Sequence, residues 1–191
     1  MHTPNATLDA RTVLNLGCGR KAREDAINVD LVPGEHTDVV HDLDVLPWPF
    51  ENDQFSEVLA FDVIEHLDRL VPVMEEIHRV MKPGGVVRIT VPHFSSSNAF
   101  TDITHRHYFG RFSFDYFTGE NEFGFYTRVR FRRRVATIIF RPTLLNKLIG
   151  RLANWSPARY ERSWPWIFPA WFLYFELEVV KNAPEANGHV C

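Results

Sequence analysis

Short apolar runs alternate with a segment of helical periodicity along the first half of the chain. Five runs are typical of strands buried on both faces, and they lie at residues 13–16, 27–31, 38–41, 57–61 and 86–91. Between the fourth and fifth runs, apolar residues recur at helical spacing from Leu70 to Met81, and the turn residues 82–85 are expected to end that helix. This alternation favours a three-layer α/β protein.

The second half of the chain adds two longer strands and a helix. Residues 129–140 predict a strand with an irregularity near Arg133, residues 144–154 predict a helix, and residues 172–181 predict the last strand. The connections after the first two strands are short, so the early helices are expected to be shortened or absent. Residues 1–191 are expected to form a single domain, with disordered tails at 1–10 and 183–191.

Composition narrows the class of protein without identifying its chemistry. The chain has 191 residues, of which 45% are hydrophobic, enough for one sizeable core. Its net charge of −3 gives no overall attraction to nucleic acid or to an anionic membrane. Cys18 and Cys191 are its two cysteines, so a disulfide framework is not expected. With no secretory signal at the start, a cytoplasmic location is the expectation.

A glycine turn directly after the first strand is the first candidate binding feature. Gly17, Cys18 and Gly19 would expose backbone N–H groups to a ligand, and Asp30 ends the next strand, where a carboxylate can accept both hydroxyls of a ribose. A dinucleotide-binding fingerprint would place that acid later, after a full helix. The pattern therefore indicates a nucleotide, but not a dinucleotide.

A set of short motifs then appears in a characteristic order over roughly residues 12–92. They are Leu14-Asn15-Leu16-Gly17-Cys18-Gly19, Asn28-Val29-Asp30-Leu31, Asp42-Leu43 with Leu46-Pro47-Trp48, Phe61-Asp62-Val63-Ile64-Glu65-His66-Leu67 and Lys82-Pro83-Gly84-Gly85. This ordered set resembles the class I S-adenosylmethionine-dependent methyltransferases, and within them the small type 11 enzymes. The resemblance implies a Rossmann-like methyltransferase fold with a mostly parallel seven-strand sheet. It also implies S-adenosylmethionine as cofactor and S-adenosylhomocysteine as product.

The resemblance assigns the cofactor contacts to the ends of the early strands. In this chain the matching residues are Asn15, Gly17, Cys18, Gly19, Asp30, Leu31, Asp42, Leu43, Phe61, Asp62 and His66. Asp30 would hold the ribose, Asp42 would accept from the adenine amino group, and Asp62 would lie beside the methionine part. Two positions depart from the family pattern, because Asn15 replaces a frequent carboxylate and Lys21 replaces a third glycine.

The candidate acceptor residues follow the fifth strand, at the end of the sheet where ligands bind in such folds. They are His93, Asp102, His105, His107 and Tyr108. We expect His105 to act as the base for a hydroxyl acceptor, Asp102 to orient it, and the other three residues to line the pocket. The expected reaction is O-methylation of a small molecule. Histidines that only brace the loop remain an alternative, and so does a metal held by Asp102, His105 and His107, although no metal is expected.

Residues 128–134 contain five arginines, which leaves two interpretations open. An RNA or nucleotide methyltransferase would use this strand face on its anionic substrate, whereas a charged edge strand would be protected against pairing with other chains. The second is favoured. No Pro-Pro-aromatic motif follows the fourth strand, which argues against nucleobase N-methylation, and a nucleic-acid partner is not expected. A partner protein that binds the cofactor without catalysis is a further alternative.

Residues 164–175 are the most apolar run, and they are too short and too rich in proline to span a bilayer. A core element or a lid over the acceptor pocket is favoured, with a dimer surface or a peripheral lipid contact as alternatives. The protein is accordingly expected to be a monomer or a homodimer.

Overall fold

A computed structural model of the protein describes residues 11–119 and 126–181. The predicted disordered tails lie outside the described residues. A central sheet is formed by β1 (Val13–Leu16), β2 (Ala26–Asp30), β3 (Val39–Val40), β4 (Phe55–Phe61), β5 (Met81–Pro92), β6 (Arg130–Ile139) and β7 (Phe172–Val180). The helices are α1 (Leu70–Val80), α2 (Asn98–Thr101), α3 (Leu144–Trp155) and α4 (Pro157–Ser163). The seven strands lie in the order β3-β2-β1-β4-β5-β7-β6, which confirms the predicted sheet.

The first five strands are parallel, and their buried residues form the centre of the core. Leu14 and Leu16 of β1 and Val58 and Ala60 of β4 are essentially inaccessible to solvent. Strand β7 is antiparallel to both of its neighbours, β5 and β6. Because all parallel strands point the same way, their carboxyl ends meet at one edge of the sheet.

The connections from β1 to β2 and from β2 to β3 contain no helix, as the sequence predicted. Residues 17–25 join β1 to β2, and they are fewer than the roughly dozen residues that a helical crossover takes. The first α-helix is therefore α1, between β4 and β5. It packs Val73, Met74, Ile77 and Val80 into the core.

The junction of α1 and β5 differs from the prediction. The helix ends at Val80, and the turn residues 82–85 belong to the irregular start of β5 rather than to a separate turn. Phe55 pairs with Met81 and Glu57 with Val86, so the extra residues bulge out of the ladder. Gly85 is needed there, because a Cβ atom would lie 3.0 Å from the Ser56 carbonyl oxygen.

The arginine-rich strand β6 is an edge strand, with the predicted irregularity between Arg133 and Val135. Arg132 and Arg134 both donate to the Glu178 carboxylate on β7, while Arg133 pairs with Asp115. The edge position agrees with the second interpretation, and these contacts balance the charges of three arginines.

The apolar run at residues 164–175 does not form a single element. Its last four residues begin β7, where Leu173 and Phe175 are core residues. The residues before β7 connect it to α4, and they include the exposed side chains of Trp164, Trp166 and Ile167.

Candidate cofactor and acceptor site

The glycine turn after β1 has the backbone geometry that its glycines allow. Gly17 and Gly19 have φ angles of 59° and 45°, in the left-handed region that favours glycine. A Cβ atom on Gly17 would lie 2.5 Å from the Val63 side chain, so the turn packs directly against the loop after β4. Cys18 between them is buried, and burial raises the pKa of its thiol.

Asp30 lies beside this turn at the end of β2. Its carboxylate accepts hydrogen bonds from the backbone N–H of Gly19 at 2.8 Å and of Val32 at 3.0 Å. The side chain of Leu31 next to it is exposed. The fold thus brings together the turn and the acidic residue that the sequence paired.

Asn15 has a different environment from the one expected for a cofactor ligand. It is buried, and its amide nitrogen donates to the Lys21 carbonyl and to the Asn28 side chain, both at 3.0 Å. Asn28 in turn donates to Asp38. The amide group of Asn15 therefore braces the turn from inside.

Asp62 begins the loop after β4, and it has a φ angle of 57°. One carboxylate oxygen pairs with Lys21 Nζ at 2.6 Å, and the other accepts from Thr90 Oγ1 at 2.9 Å. Lys21 is the residue that stands in place of the family's third glycine. The ion pair therefore links the glycine turn to the end of β4, where Phe61 lies.

Asp42 and Leu43 follow β3 on the other side of Asp30. The His41 amide donates to the Asp30 carbonyl at 2.9 Å, which holds this segment against the end of β2. Asp42 accepts from the Asp44 amide, and Leu43 is buried with its carbonyl accepting from the Trp48 indole. Both predicted adenine-side residues are thus close in the fold to the predicted ribose ligand.

A cavity of about 810 Å³ opens beyond the carboxyl ends of β4 and β5. Its lining includes Asp62, Glu65, His66, Asp102 and His105. Asp62 belongs both to this cavity and to the ion pair at the glycine turn, so the candidate cofactor and acceptor regions adjoin.

Three of the five predicted acceptor residues do not line this cavity. His93 is fully buried, where it contacts Ser95 and Glu161, so it braces the core. Tyr108 stacks on Phe100, with ring centroids 5.0 Å apart. His107 packs near Phe109, with ring centroids 6.3 Å apart. The expectation that they line the acceptor pocket is therefore not met in this cavity, because their side chains make these other contacts.

The predicted partnership of Asp102 with His105 is also wrong. Asp102 accepts instead from the amide and the hydroxyl of Thr104, at 2.9 and 2.7 Å. The Thr104 hydroxyl has then used its only proton, so it accepts from His66 Nδ1 at 2.8 Å. Asp102 thus orients His66 through Thr104.

His105 is held by the loop itself. Its Nδ1 donates to the Ala99 carbonyl at 3.1 Å, which leaves the Nε2 lone pair free. Nε2 lies 4.0 Å from Glu65 Oε1, and the ring of His105 lies 4.6 Å from that of His66, centroid to centroid. Burial, with His105 nearby, lowers the pKa of His66.

Glu65 is not among the site residues predicted from the sequence. It is nevertheless the most buried of the ionisable residues that line the cavity, at 1% exposure. Burial raises the pKa of its carboxyl to about 7. Its Oε2 atom has no hydrogen-bond partner within residues 11–119 and 126–181. The only signal for this role was an acidic residue four positions after the end of a buried strand.

The strand order with an antiparallel β7 defines the fold of class I S-adenosylmethionine-dependent methyltransferases. Residues 14–89 match the family described as "Methyltransferase domain", which spans β1 to most of β5. Residues 14–89 are therefore a methyltransferase domain of the kind that the motifs predicted, within a chain that has the class I methyltransferase fold. No curated protein matches the sequence.

Solved structures show the same fold at low sequence identity. A SAM-dependent methyltransferase from Archaeoglobus fulgidus is 17% identical, with a TM-score of 0.61 over 90% of this chain and 87% of that one. The YcgJ protein from Bacillus subtilis is 13% identical, with a TM-score of 0.57 over 93% and 96%. The [4+2]-cyclase SpnF is 14% identical, with a TM-score of 0.53 over 92% and 80%. These likenesses establish the fold alone.

Proposed function

We propose that the protein transfers the methyl group of S-adenosylmethionine to a hydroxyl of a small molecule bound in the 810 Å³ cavity. The observation that carries this proposal is the position of Asp62. It pairs with Lys21 at the glycine turn and also lines the cavity that holds Glu65 and His105. A donor on the turn and an acceptor in the cavity would therefore meet at the end of β4, as an in-line transfer requires.

In this proposal the cofactor lies along the carboxyl edge of the sheet. The backbone from Gly17 to Gly19 faces its methionine part and Asp30 accepts from the ribose hydroxyls. Asp42 and the Leu43 backbone meet the adenine, and Phe61, Asp62 and His66 lie on the side of the methyl group. Asp30 is already bonded to the Gly19 amide, but a carboxylate has further lone pairs for the sugar.

His105 is proposed as the base of the transfer. The acceptor O–H gives its proton to the free Nε2 of His105, and an oxygen lone pair forms a bond to the methyl carbon. The carbon–sulfur bond breaks with its electron pair going to sulfur, so the products are a methyl ether, S-adenosylhomocysteine and a protonated histidine. The hydrogen bond from Nδ1 to Ala99 supports this role, since it fixes the tautomer that can accept a proton.

The test combines cofactor binding with product detection. The purified protein is incubated with S-adenosylmethionine and a panel of small hydroxyl compounds, and products heavier by one methylene group are sought by mass spectrometry. Calorimetry with S-adenosylhomocysteine is run in parallel on wild type, Asp30→Ala, His105→Ala and the exposed control His36→Ala. We expect Asp30→Ala to lose binding, His105→Ala to keep binding but lose product, and His36→Ala to match wild type.

Two outcomes would contradict the proposal. If S-adenosylhomocysteine fails to bind wild type, the cofactor assignment is wrong. If the cofactor binds and no acceptor is methylated, the result favours a protein that binds the cofactor without methyl transfer. The likeness to a cyclase gives this second case weight, because the same fold carries another reaction in SpnF.

A further inference from the structure

Three potential metal ligands converge at the inner wall of the cavity. One ligand atom each from Glu65, His66 and His105 can be chosen such that all lie within 4.8 Å of one another. We infer that these three residues form a binding site for a divalent transition-metal ion. The set differs from the Asp102, His105 and His107 combination that the sequence left open, because Asp102 is bonded to Thr104 and His107 does not line the cavity.

The carboxylate of Glu65 provides an independent reason for a cation. Oε2 is buried without a hydrogen-bond partner in the described part of the chain, and Oε1 lies 4.0 Å from His105, beyond hydrogen-bond distance. A buried carboxyl oxygen without a hydrogen-bond partner is unfavourable, and coordination of a metal ion is one way to satisfy it. The nearby Lys21 is paired with Asp62. A metal ion between the three ligands would supply the missing partner.

Both histidines make the outer hydrogen bond that metal-ligating histidines usually make. Each uses Nδ1 in a hydrogen bond, His66 to Thr104 and His105 to the Ala99 carbonyl, so each leaves Nε2 with a free lone pair. Outer hydrogen bonds of this kind fix the tautomer and the ring direction of a ligating histidine. On His66 the arrangement extends one residue further, since Asp102 accepts from the Thr104 hydroxyl.

The donor set indicates the class of ion. Two imidazole nitrogens and one carboxylate oxygen suit Zn²⁺, Mn²⁺, Fe²⁺ or Co²⁺ better than Mg²⁺ or Ca²⁺, which prefer oxygen ligands. Three protein ligands also leave coordination positions open, as in catalytic rather than structural sites. Those positions would be open to a molecule in the cavity, because all three residues line it.

The role of such an ion, though not the site itself, rests on the proposed function. An ion at this site would bind the acceptor hydroxyl and lower its pKa. Because the Nε2 lone pair of His105 would then be used in coordination, metal activation would replace the histidine base. The substrate class would narrow to hydroxyl compounds that can also coordinate a metal.

The test measures metal binding without any acceptor. Full-length protein is stripped with a chelator, and Zn²⁺ binding is followed by calorimetry and Co²⁺ binding by its visible absorption. We expect one ion per chain, a loss of at least tenfold in affinity for Glu65→Gln, and no change for the exposed control His36→Ala. Thr104→Val should weaken binding by about 10–100-fold through His66, and Thr104→Ser should restore it.

The outcomes separate this inference from the proposed function. Wild type that binds no Zn²⁺ or Co²⁺, or Glu65→Gln that binds as tightly as wild type, would overturn the metal site. S-adenosylhomocysteine binding by each stripped variant serves as the folding control. If methylation persists in the presence of a chelator, the metal is not needed for the reaction and His105 is the base. If a metal binds but no methylated product forms, the proposed reaction is contradicted and the metal site is not.

A separate observation concerns the outer surface of α3. This helix has a single buried residue, Ala153, although half of its residues are large and apolar. The exposed ones are Leu144, Leu145, Leu148, Leu152 and Trp155, with exposures between 57% and 86%. A helix this apolar on its outer side is unusual for a surface exposed only to water.

The exposed side chains that follow α4 extend the same surface. Leu152 and Trp155 line one groove of about 350 Å³ together with Trp164 and Phe168. Trp166 and Ile167 are exposed beside them, at 70% and 63%. We call the exposed apolar residues of 144–168 the apolar face.

The charges around the apolar face indicate its partner. Residues 141–168 contain five basic residues and a single acidic one, Glu161, in a chain of net charge −3. The Glu161 carboxylate is directed inward, where it accepts from the Arg111 amide and contacts His93. We infer that the apolar face docks on an anionic lipid bilayer, since basic residues beside leucine and tryptophan suit the interface of such a membrane.

No helix among the described residues is long and apolar enough to cross a membrane, so the contact would be peripheral. The test is flotation of the full chain with vesicles of phosphatidylcholine alone or mixed with phosphatidylserine. We expect binding to the mixed vesicles with a blue shift of tryptophan fluorescence, weakened at least tenfold by Leu148→Ser with Trp155→Ser. Val45→Ser, an exposed apolar site elsewhere, should have no effect.

Absence of binding to the mixed vesicles would overturn the membrane inference. So would equal binding of wild type and the Leu148→Ser, Trp155→Ser variant. A concentration-dependent dimer that the same two substitutions dissociate, with no vesicle binding, would assign the apolar face to a second copy of the chain instead.

Discussion

Replacing Gly17 by alanine should be the most damaging small change in the glycine turn. Its φ angle of 59° is unfavourable for any residue with a Cβ atom, which adds about 1–2 kcal/mol. The new Cβ would also lie 2.5 Å from Val63 Cγ2 and 2.9 Å from Val63 Cβ, and such overpacking adds about 1–3 kcal/mol. We therefore expect Gly17→Ala to lower the free energy of unfolding by about 2–5 kcal/mol.

Gly19→Ala is the matched control for this substitution. Gly19 also has a positive φ angle, 45°. A Cβ atom on Gly19 would come no closer than 4.0 Å to another atom, the Gly17 carbonyl oxygen, so only the cost of the φ angle remains. Urea unfolding of both variants separates the two terms, and S-adenosylhomocysteine calorimetry reports whether the turn keeps its shape. Adding Val63→Ala to Gly17→Ala removes the 2.5 Å contact but not the 2.9 Å one, so part of the lost stability should return. Equal destabilisation by the two alanines, or no coupling with Val63, would refute this reasoning.

Three further predictions concern charged groups away from the glycine turn. Burial lowers the pKa of His78 below 6.5, so the unfolded chain binds the proton first, and wild type should lose stability from about pH 7 to pH 5. His78→Gln should make that loss shallower in urea titrations across this range. Glu178→Gln should destabilise the protein in low salt, because Arg132 and Arg134 lose their shared carboxylate, and high salt should reduce the difference. Glu76→Gln should lower the midpoint of thermal unfolding, by an amount equivalent to about 1–3 kcal/mol, because a buried group loses charge-assisted hydrogen bonds.

The sheet could be predicted because strands buried on both faces are short apolar runs in the sequence. The start of β5 could not, because the Phe55–Met81 pair lies across a bulge that no local sequence pattern encodes. Lys82, Pro83 and the two glycines after it carry the local signal of a turn, and the tertiary pairing overrides that signal.

The candidate cofactor residues were predictable for a similar reason. Asp30 and the glycine turn lie at the ends of adjacent parallel strands, so their proximity follows from the order of the strands. The acceptor loop has no such constraint. Asp102 was expected to orient His105, but in the folded loop its carboxylate accepts a hydrogen bond from Thr104 instead. No rule of sequence spacing predicts which of the two residues Asp102 contacts. The contact of Glu65 with His105 joins residues distant in sequence, which periodicity does not encode.

Asp62 and Glu65 explain why the cofactor half and the acceptor half of the site differ in charge balance. Both follow β4, three residues apart, and the left-handed backbone of Asp62 lies at the start of the loop that separates them. Asp62 meets the cation of Lys21, so the cofactor half already has its charge balanced. Burial, and then the carboxylate of Asp62, raise the pKa of Glu65, while Lys21 lowers it, and His66 and His105 lie beside it. Asp62 and Glu65 thus share the single positive charge of Lys21, and a second positive charge beside Glu65 would balance the acceptor half. A metal ion or a protonated histidine would supply that charge, and metal titration of the chelator-stripped protein distinguishes the two.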